Sequence, residues 1–234
     1  MSVLSRLTKL DWPTLIVELV LIFVGISAAL WFDNRNEAQR NRGDEIAILG
    51  ELVSALESDM KDLEGNINVG RATWSSIDSI LGWIDTGIPY DSAMAETFGR
   101  STSQTRFFHR AGAYEYLKSV GLGMLTNNSL RTAVTSYYEF DVQNLTSFER
   151  ELVSGQWQSV LQPQMVEKFS YAFFSRPATP NDWDALRRDR EYRSALTNWQ
   201  SVLAWQYEGG IVLRAQSESL IETIEAELAV LGAR

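Results

Sequence analysis

The sequence predicts an all-α protein in which one N-terminal transmembrane helix continues into an elongated antiparallel helical bundle. Three observations predict it. Residues 14–32, TLIVELVLIFVGISAALWF, are nearly all apolar and hold one charged residue, Glu18. Residues 46–84 carry an apolar repeat with the 3.5-residue period of a helical seam. No segment alternates apolar and polar residues as a half-buried strand would, whereas several later stretches repeat at helical spacing.

The chain divides into a short tail (1–12), the membrane span (13–32), a polar neck (33–45) and an acidic bundle domain (44–234). At about 1.5 Å per residue, the apolar stretch crosses a hydrocarbon core of roughly 30 Å. It is longer than the apolar region of a cleavable signal. AALWFD at 28–33 also places bulky aromatics where a cleavage site needs small residues, so the span reads as a retained anchor. Trp12 and Trp31 stand at its two ends as interfacial anchors. Asp11 and Pro13 make a helix start, one as cap and one pre-set for the first turn.

Glu18 lies about 7 Å into the span, five residues after Pro13. A carboxylate at that depth reaches back to interfacial water, bonds a partner helix, or moves protons or ions. The first is the simplest reading. The second joins Glu18 to Gly25 and Ala29, whose small-xxx-small spacing lets a second helix approach, as a docking face within the membrane.

Orientation is finely balanced, because Arg6 and Lys9 before the span face Arg35, Arg40 and Arg42 after it. A short basic tail commonly stays in the cytoplasm. The expected placement is therefore the bacterial inner membrane, with the C-terminal domain in the periplasm. Residues 1–43 hold five basic and four acidic residues, and the remainder holds 16 basic and 26 acidic, a net charge of −10. Such a surface repels phosphate backbones and anionic headgroups, which argues against nucleic acid as a partner and leaves the span as the contact with the bilayer. The sequence has no cysteine, so disulfides, thiolate metal sites and thiol catalysis are excluded.

The neck, DNRNEAQRNRGDE, holds no helix breaker but Gly43, so one helix is expected to run from the span through it. In the seam, Ile46, Leu49, Val53, Leu56, Met60, Leu63, Ile67, Gly70, Trp74, Ile77, Leu81 and Ile84 follow in alternating steps of three and four, like a coiled coil, with Gly70 as the one interruption. The other faces carry acids, Asp59 and Asp62 among them, and Gly87-Ile88-Pro89 is the stop. Residues 91–110 read as a short helix and a polar loop, and 112–121 as a short helix closed by glycine. Asn127-Asn128-Ser129 caps a longer helix with a stripe through Leu130, Val134, Tyr137, Val142, Leu145, Phe148 and Leu152. Pro163 bends or restarts it, and Met165, Val166, Phe169 and Phe173 extend the stripe. The loop SRPATPNDWD (175–184) precedes a last helix over about 184–231, with Gly209-Gly210 as its weak point.

Chemical motifs are sparse. His109, in Arg106-Phe107-Phe108-His109-Arg110, is the only histidine, and without cysteine it cannot build a usual zinc or haem site. It reads as an ordinary loop residue, with the flanking arginines a weaker candidate for anion binding. Arg187, Arg188, Arg190 and Arg193, alternating with Asp189 and Glu191, read as a solvated helix start. Gly121-Leu122-Gly123 follows no strand and lacks the rest of a phosphate loop. No catalytic residue, cofactor or metal is expected.

Two blocks resemble a known family. LIVELVLIFVGISAALWFDNRNEAQRNRGDEIAILGELVSALESDMKDLE resembles the opening of single-span bacterial membrane proteins grouped as domain of unknown function 6090: an early glutamate, a mid-span glycine and a polar N-x-x-N-E-like exit, here Glu18, Gly25 and Asn34 to Glu37, before a long acidic helix. AYEYLKSVGLGMLTNNSLRTAVTSYYE (113–139) is similar too. The resemblance implies architecture but no activity. The expected role is a non-enzymatic accessory or structural subunit of a larger respiratory, photosynthetic or transport complex. Its partners would be the lipid bilayer and other membrane-protein subunits, or further copies of itself. The alternative is a periplasmic helical-bundle sensor that relays ligand binding through its membrane helix to a partner.

Overall fold

The computed structural model describes residues 12–172 and 177–233, with the backbone alone at 13–15. The readings placed on Arg6, Lys9, Asp11 and Phe173 lie outside the described residues. The chain forms two compact units, Met1–Ala47 and Ile48–Arg234. The helix α1, Trp12–Thr86, supplies the described part of the first unit and opens the second.

Between Ile16 and Phe32, Glu18 aside, α1 carries apolar side chains all round its circumference. Every large apolar side chain described from Trp12 to Phe32 is at least 52% exposed. The helix is long and apolar enough to cross a membrane, and none of its apolar window is buried in the described structure. A helix hydrophobic all round is one that needs an apolar surrounding rather than a single partner face.

Among its described residues the second unit is all-α apart from one two-residue ladder. After α1 come α2 (Met94–Arg100), α3 (Gly112–Val120) and a 3₁₀ turn (Leu122–Met124). A long helical stretch follows as α4 (Asn128–Ser136), α5 (Val142–Phe148), α6 (Ser154–Gln156) and α7 (Gln162–Lys168). Its segments are joined by π turns at Tyr137–Asp141, Glu149–Val153 and Trp157–Leu161. Then come β1 (Phe169–Ser170), β2 (Thr179–Pro180), α8 (Trp183–Leu186) and α9 (Arg190–Val230). The ladder pairs Phe169 with Pro180 and Ser170 with Thr179, antiparallel, where the sequence showed no strand. Two residues are too few to carry an alternating pattern.

Local chemistry sets the ends. Gly87 takes φ 65°, which favours glycine and closes α1 before Pro89. The Asn127 side chain accepts from the Ser129 and Leu130 N–H groups at the start of α4. Pro163 sits in the first turn of α7, where its missing N–H costs nothing, so it restarts the helix rather than breaking it. Asp189 caps α9 by accepting from Glu191 and Tyr192, and takes an ion pair from Lys168 at 2.7 Å.

Paired contacts fix the directions of the long helices. Tyr137 meets Ser217, Glu149 meets Gln206, and Gln164 meets Glu191, so α9 runs antiparallel to the 128–168 stretch. Ile67 meets Gly210, and Asp85 pairs with Arg193, so α9 is antiparallel to α1 as well. α1 and the 128–168 stretch are therefore parallel, and the connection 87–127 must carry the chain back. Two apolar clusters result. One joins Leu49, Leu52, Leu56 and Leu63 to Tyr137, Val142, Leu213 and Ile224. The other joins Ile77 and Ile80 to Phe98, Trp157, Met165, Tyr192 and Trp199.

The buried ridge of α1 passes through Ile48, Leu49, Leu52, Leu56, Leu63, Ile67, Thr73, Ser76, Ile77 and Ile80. Of the expected seam, Leu49, Leu56, Leu63, Ile67 and Ile77 lie on it, and Val53, Met60, Leu81 and Ile84 are half-buried on its flanks. Trp74 is 41% exposed. A helix drifts away from a strict seven-residue repeat, and here Thr73 and Ser76 take the inward places.

The glycines that broke the sequence pattern are contact points. A Cβ on Gly210 would come within 3.3 Å of Ile67 Cγ1, and one on Gly209 within 3.3 Å of Leu145 Cδ1, while Gly70 faces Tyr207. They let α9 approach both neighbours closely between the two clusters. Gly210→Leu is expected to lower stability by about 1–3 kcal/mol through overpacking. The check is the urea midpoint of the full chain in detergent, followed by circular dichroism.

Candidate functional site

Between the two apolar clusters an extended segment, 103–111, crosses the second unit. It has no helix to satisfy its backbone, and a buried peptide group without a partner is costly. Side chains from the helices do the work. Glu149 accepts the Phe107 N–H at 2.8 Å, Asp62 accepts the Phe108 N–H at 3.3 Å, and Asp59 accepts the Arg110 N–H at 2.9 Å. On the acceptor side, Gln206 donates to the Thr105 carbonyl at 2.9 Å and Asn66 to the Arg106 carbonyl at 3.2 Å.

The same device continues along the connection. Trp199 Nε1 donates to the Ser101 carbonyl, Trp183 Nε1 to the Ile88 carbonyl, and Arg187 to the Gly87 carbonyl. Arg193 forms a two-pronged pair with Asp85. The arginine-rich start of α9, read as a solvated and mutually paired stretch, thus ties α9 to the end of α1.

Glu149 is only 3% exposed, and Asp59 1%. Burial raises both carboxyls, Glu149 against the opposing bonds from Gln206 and Phe107. Asp59 is pushed up to about 6, with the Arg110 N–H and charge lowering it and the Asp62 charge raising it. Its Oδ2 has no hydrogen-bond partner among the described residues. The sequence placed Asp59 among the acids of an outer face; its position is buried because the loop needs an acceptor there. His109 is half-buried, and desolvation lowers its pKa while the charge of Glu115 raises it.

Beside the segment opens a cleft of about 750 Å³, lined by Arg106, Phe108, Ser154, Trp157, Gln158 and Gln162 among others. Arg106 donates to Ser154 Oγ at 3.1 Å, and Phe108 is 71% exposed at its edge. One cation, the Glu149 carboxyl, amide groups and aromatic rings suit a small polar ligand. Among the described residues no group of three or more His, Asp or Glu side chains could hold a metal ion.

The candidate docking residues Glu18, Gly25 and Ala29 are all exposed, and spacings of seven and four put them on one face of α1. Trp12 and Trp31 are exposed too, with the Arg35 guanidinium 5.4 Å over the Trp31 ring.

These features define an all-α protein with an N-terminal helix apolar enough to cross a membrane and a helical unit organised by buried carboxylates. The chain belongs to the family described as Family of unknown function (DUF6090), whose profile matches residues 18–166. That range takes in Glu18, the extended segment and Glu149, and stops short of α9. Neither the curated proteins nor the solved structures provide a match.

Two outcomes follow. Glu149→Ala strands the Phe107 N–H and removes one of the two bonds that Gln206 donates, and is expected to lower stability by about 2–3 kcal/mol, read as a urea midpoint. Asp59 has a folded-state value above its unfolded 3.8, so the folded protein keeps a proton that the unfolded chain releases. Its contribution to stability therefore falls as pH rises from about 4 through 6, by up to about 3 kcal/mol. His109 works with the opposite sign, since its lowered value costs stability below pH 6.5. The difference between wild type and Asp59→Asn separates them. The variant is expected to be the more stable at pH 8, with the gap shrinking towards pH 4.

Proposed function

We propose that this protein is a membrane-anchored interaction protein, an accessory or structural subunit that docks into a larger membrane complex without catalysing a reaction. The observation that carries the reading is α1 itself. Its first unit exposes eleven Leu, Ile, Val and Phe side chains between Ile16 and Phe32. Moving them into a bilayer recovers about 3–7 kcal/mol on an insertion scale, enough to outweigh one carboxylate near the end of the span. Burial in hydrocarbon removes the hydrophobic incentive for further association there, so Glu18, Gly25 and Ala29 supply a polar and close-packing face for another helix. The bacterial inner membrane and a periplasmic second unit complete the proposal. The basic residues Arg6 and Lys9 before the span support that orientation.

A second reading, a sensor that passes ligand binding to a partner through α1, is favoured by the cleft beside Arg106.

Purification in mild detergent followed by native mass spectrometry tests the first reading. The expected result is a hetero-assembly that loses subunits in Glu18→Leu; a lone monomer or homodimer in wild type contradicts it. A thermal shift of the full chain with small dicarboxylates, lost in Arg106→Ala, would instead favour the sensor. Protease treatment of spheroplasts is expected to degrade the second unit, and its protection would reverse the orientation.

A further inference from the structure

Among the large aromatic side chains that the second unit leaves exposed outside both apolar clusters, Trp205 is the most exposed of those described. Trp205, on α9, is 74% exposed. It stands on the wall of a groove of about 360 Å³ between α5 and α9, with Phe148, Val212 and Leu213 as the other main apolar walls. Leu213 belongs to the core beneath, Phe148 is half-buried, and Val212 is exposed. Gly209 lies among the lining residues, so the groove has no side chain from that position to fill it.

The α5 side of this groove is unusual. Asp141 ends one π turn, and the next begins at Glu149, directly after Phe148. A π turn inserts a residue into the helix and re-aims the side chains that follow, and such turns often mark functional sites. Here they leave Asp141, Asn144 and Phe148 facing the α9 residues Trp205, Glu208 and Val212 across an open seam.

Charge selects the occupant. The lining includes two acids, Asp141 and Glu208, and no lysine or arginine. A second copy of this chain would bring the same acids to the same rim, in a molecule of net charge −9. An anionic lipid surface would be repelled in the same way. A helix with an apolar stripe flanked by lysine or arginine complements the groove on both counts, apolar ridge to Trp205 and Val212, cations to Asp141 and Glu208. Exposed tryptophan in a concave apolar setting is the residue type that most often dominates binding at such surfaces.

We propose that the α5–α9 groove is the docking site for a basic amphipathic helix of a partner protein, anchored on Trp205. The proposal rests on the interaction-protein reading and names the surface and partner chemistry for it.

The test uses the full chain in neutral-lipid nanodiscs and two labelled synthetic amphipathic helices, one of leucine and lysine and one of leucine and glutamate, titrated by fluorescence anisotropy. The leucine–lysine helix is expected to bind and the leucine–glutamate helix not. Trp205→Ala with Val212→Asp should weaken binding at least tenfold. Both side chains are exposed, so circular dichroism should report an unchanged fold. Asp141→Lys with Glu208→Lys should abolish binding of the leucine–lysine helix and create binding of the leucine–glutamate one. Equal binding by wild type and the Trp205 variant overturns the proposal, because it reduces the effect to general attraction by an acidic protein. Equal binding of both helices overturns it too, as does a concentration-dependent homodimer that Trp205→Ala disrupts. Native mass spectrometry of the Trp205→Ala, Val212→Asp chain separates the two levels. A wild-type hetero-assembly that survives the double substitution overturns the groove and leaves the interaction-protein reading standing, whereas a wild-type monomer removes that reading on its own.

Discussion

The second unit depends on the way helix side chains satisfy a backbone that is not helical. Because α1 and the 128–168 stretch run parallel, the chain must return between them, and part of that return passes between the two apolar clusters. A helix carries its own hydrogen bonds, but the extended segment 103–111 does not. Three of its N–H groups are met by Glu149, Asp62 and Asp59, and two of its carbonyls by Gln206 and Asn66. These side chains come from α1, the 128–168 stretch and α9. The segment therefore ties the three long helices to one register more specifically than apolar contact could, since apolar surfaces tolerate sliding and a buried carboxylate facing an N–H does not.

This arrangement carries a cost that appears as raised carboxyl pKa values. Asp59 and Glu149 give up water for backbone donors, and Asp59 keeps one oxygen without a partner among the described residues. The glycines reinforce the same region by close approach, with Gly210 against Ile67 and Gly209 against Leu145. Polar clamp and glycine contacts lie between the two clusters. The cleft beside Arg106 and the groove beside Trp205 both open next to them, one lined by Glu149 and the other by Gly209. On the proposed reading as a membrane-anchored subunit, such a feature would hold surface side chains in place without relying on a partner to order them.

Much of the architecture was legible in the sequence because it is local. The apolar stretch 14–32, the stripes of the long helices, the Asn127 cap and the Gly87 stop each depend on residues within a few positions of one another. The site was not legible, because its logic is long-range. Asp59 and Glu149 look like any acid on a helix until Arg110 and Phe107 are brought to them across the fold. Gly70 and Gly209-Gly210 read as interruptions because a sequence pattern registers a missing side chain and not the neighbour that needs the space. The π turns left no mark at all, since Leu130 to Leu152 keeps an apolar spacing compatible with an ordinary helix. The parallel course of α1 and the 128–168 stretch was hidden for the same reason: the length of 87–127 shows that a return is possible but not that it is taken.

The 103–111 segment is a clamped structural member rather than a surface loop. Amide hydrogen exchange of the full chain, resolved at Phe107 and Arg110, tests it most directly. Protection at these two amides is expected to match that of the α1 amides around Leu56 and Leu63, because both donors are held by buried carboxylates. Exchange at the rate of an exposed loop, with the helices around it still protected, would contradict it.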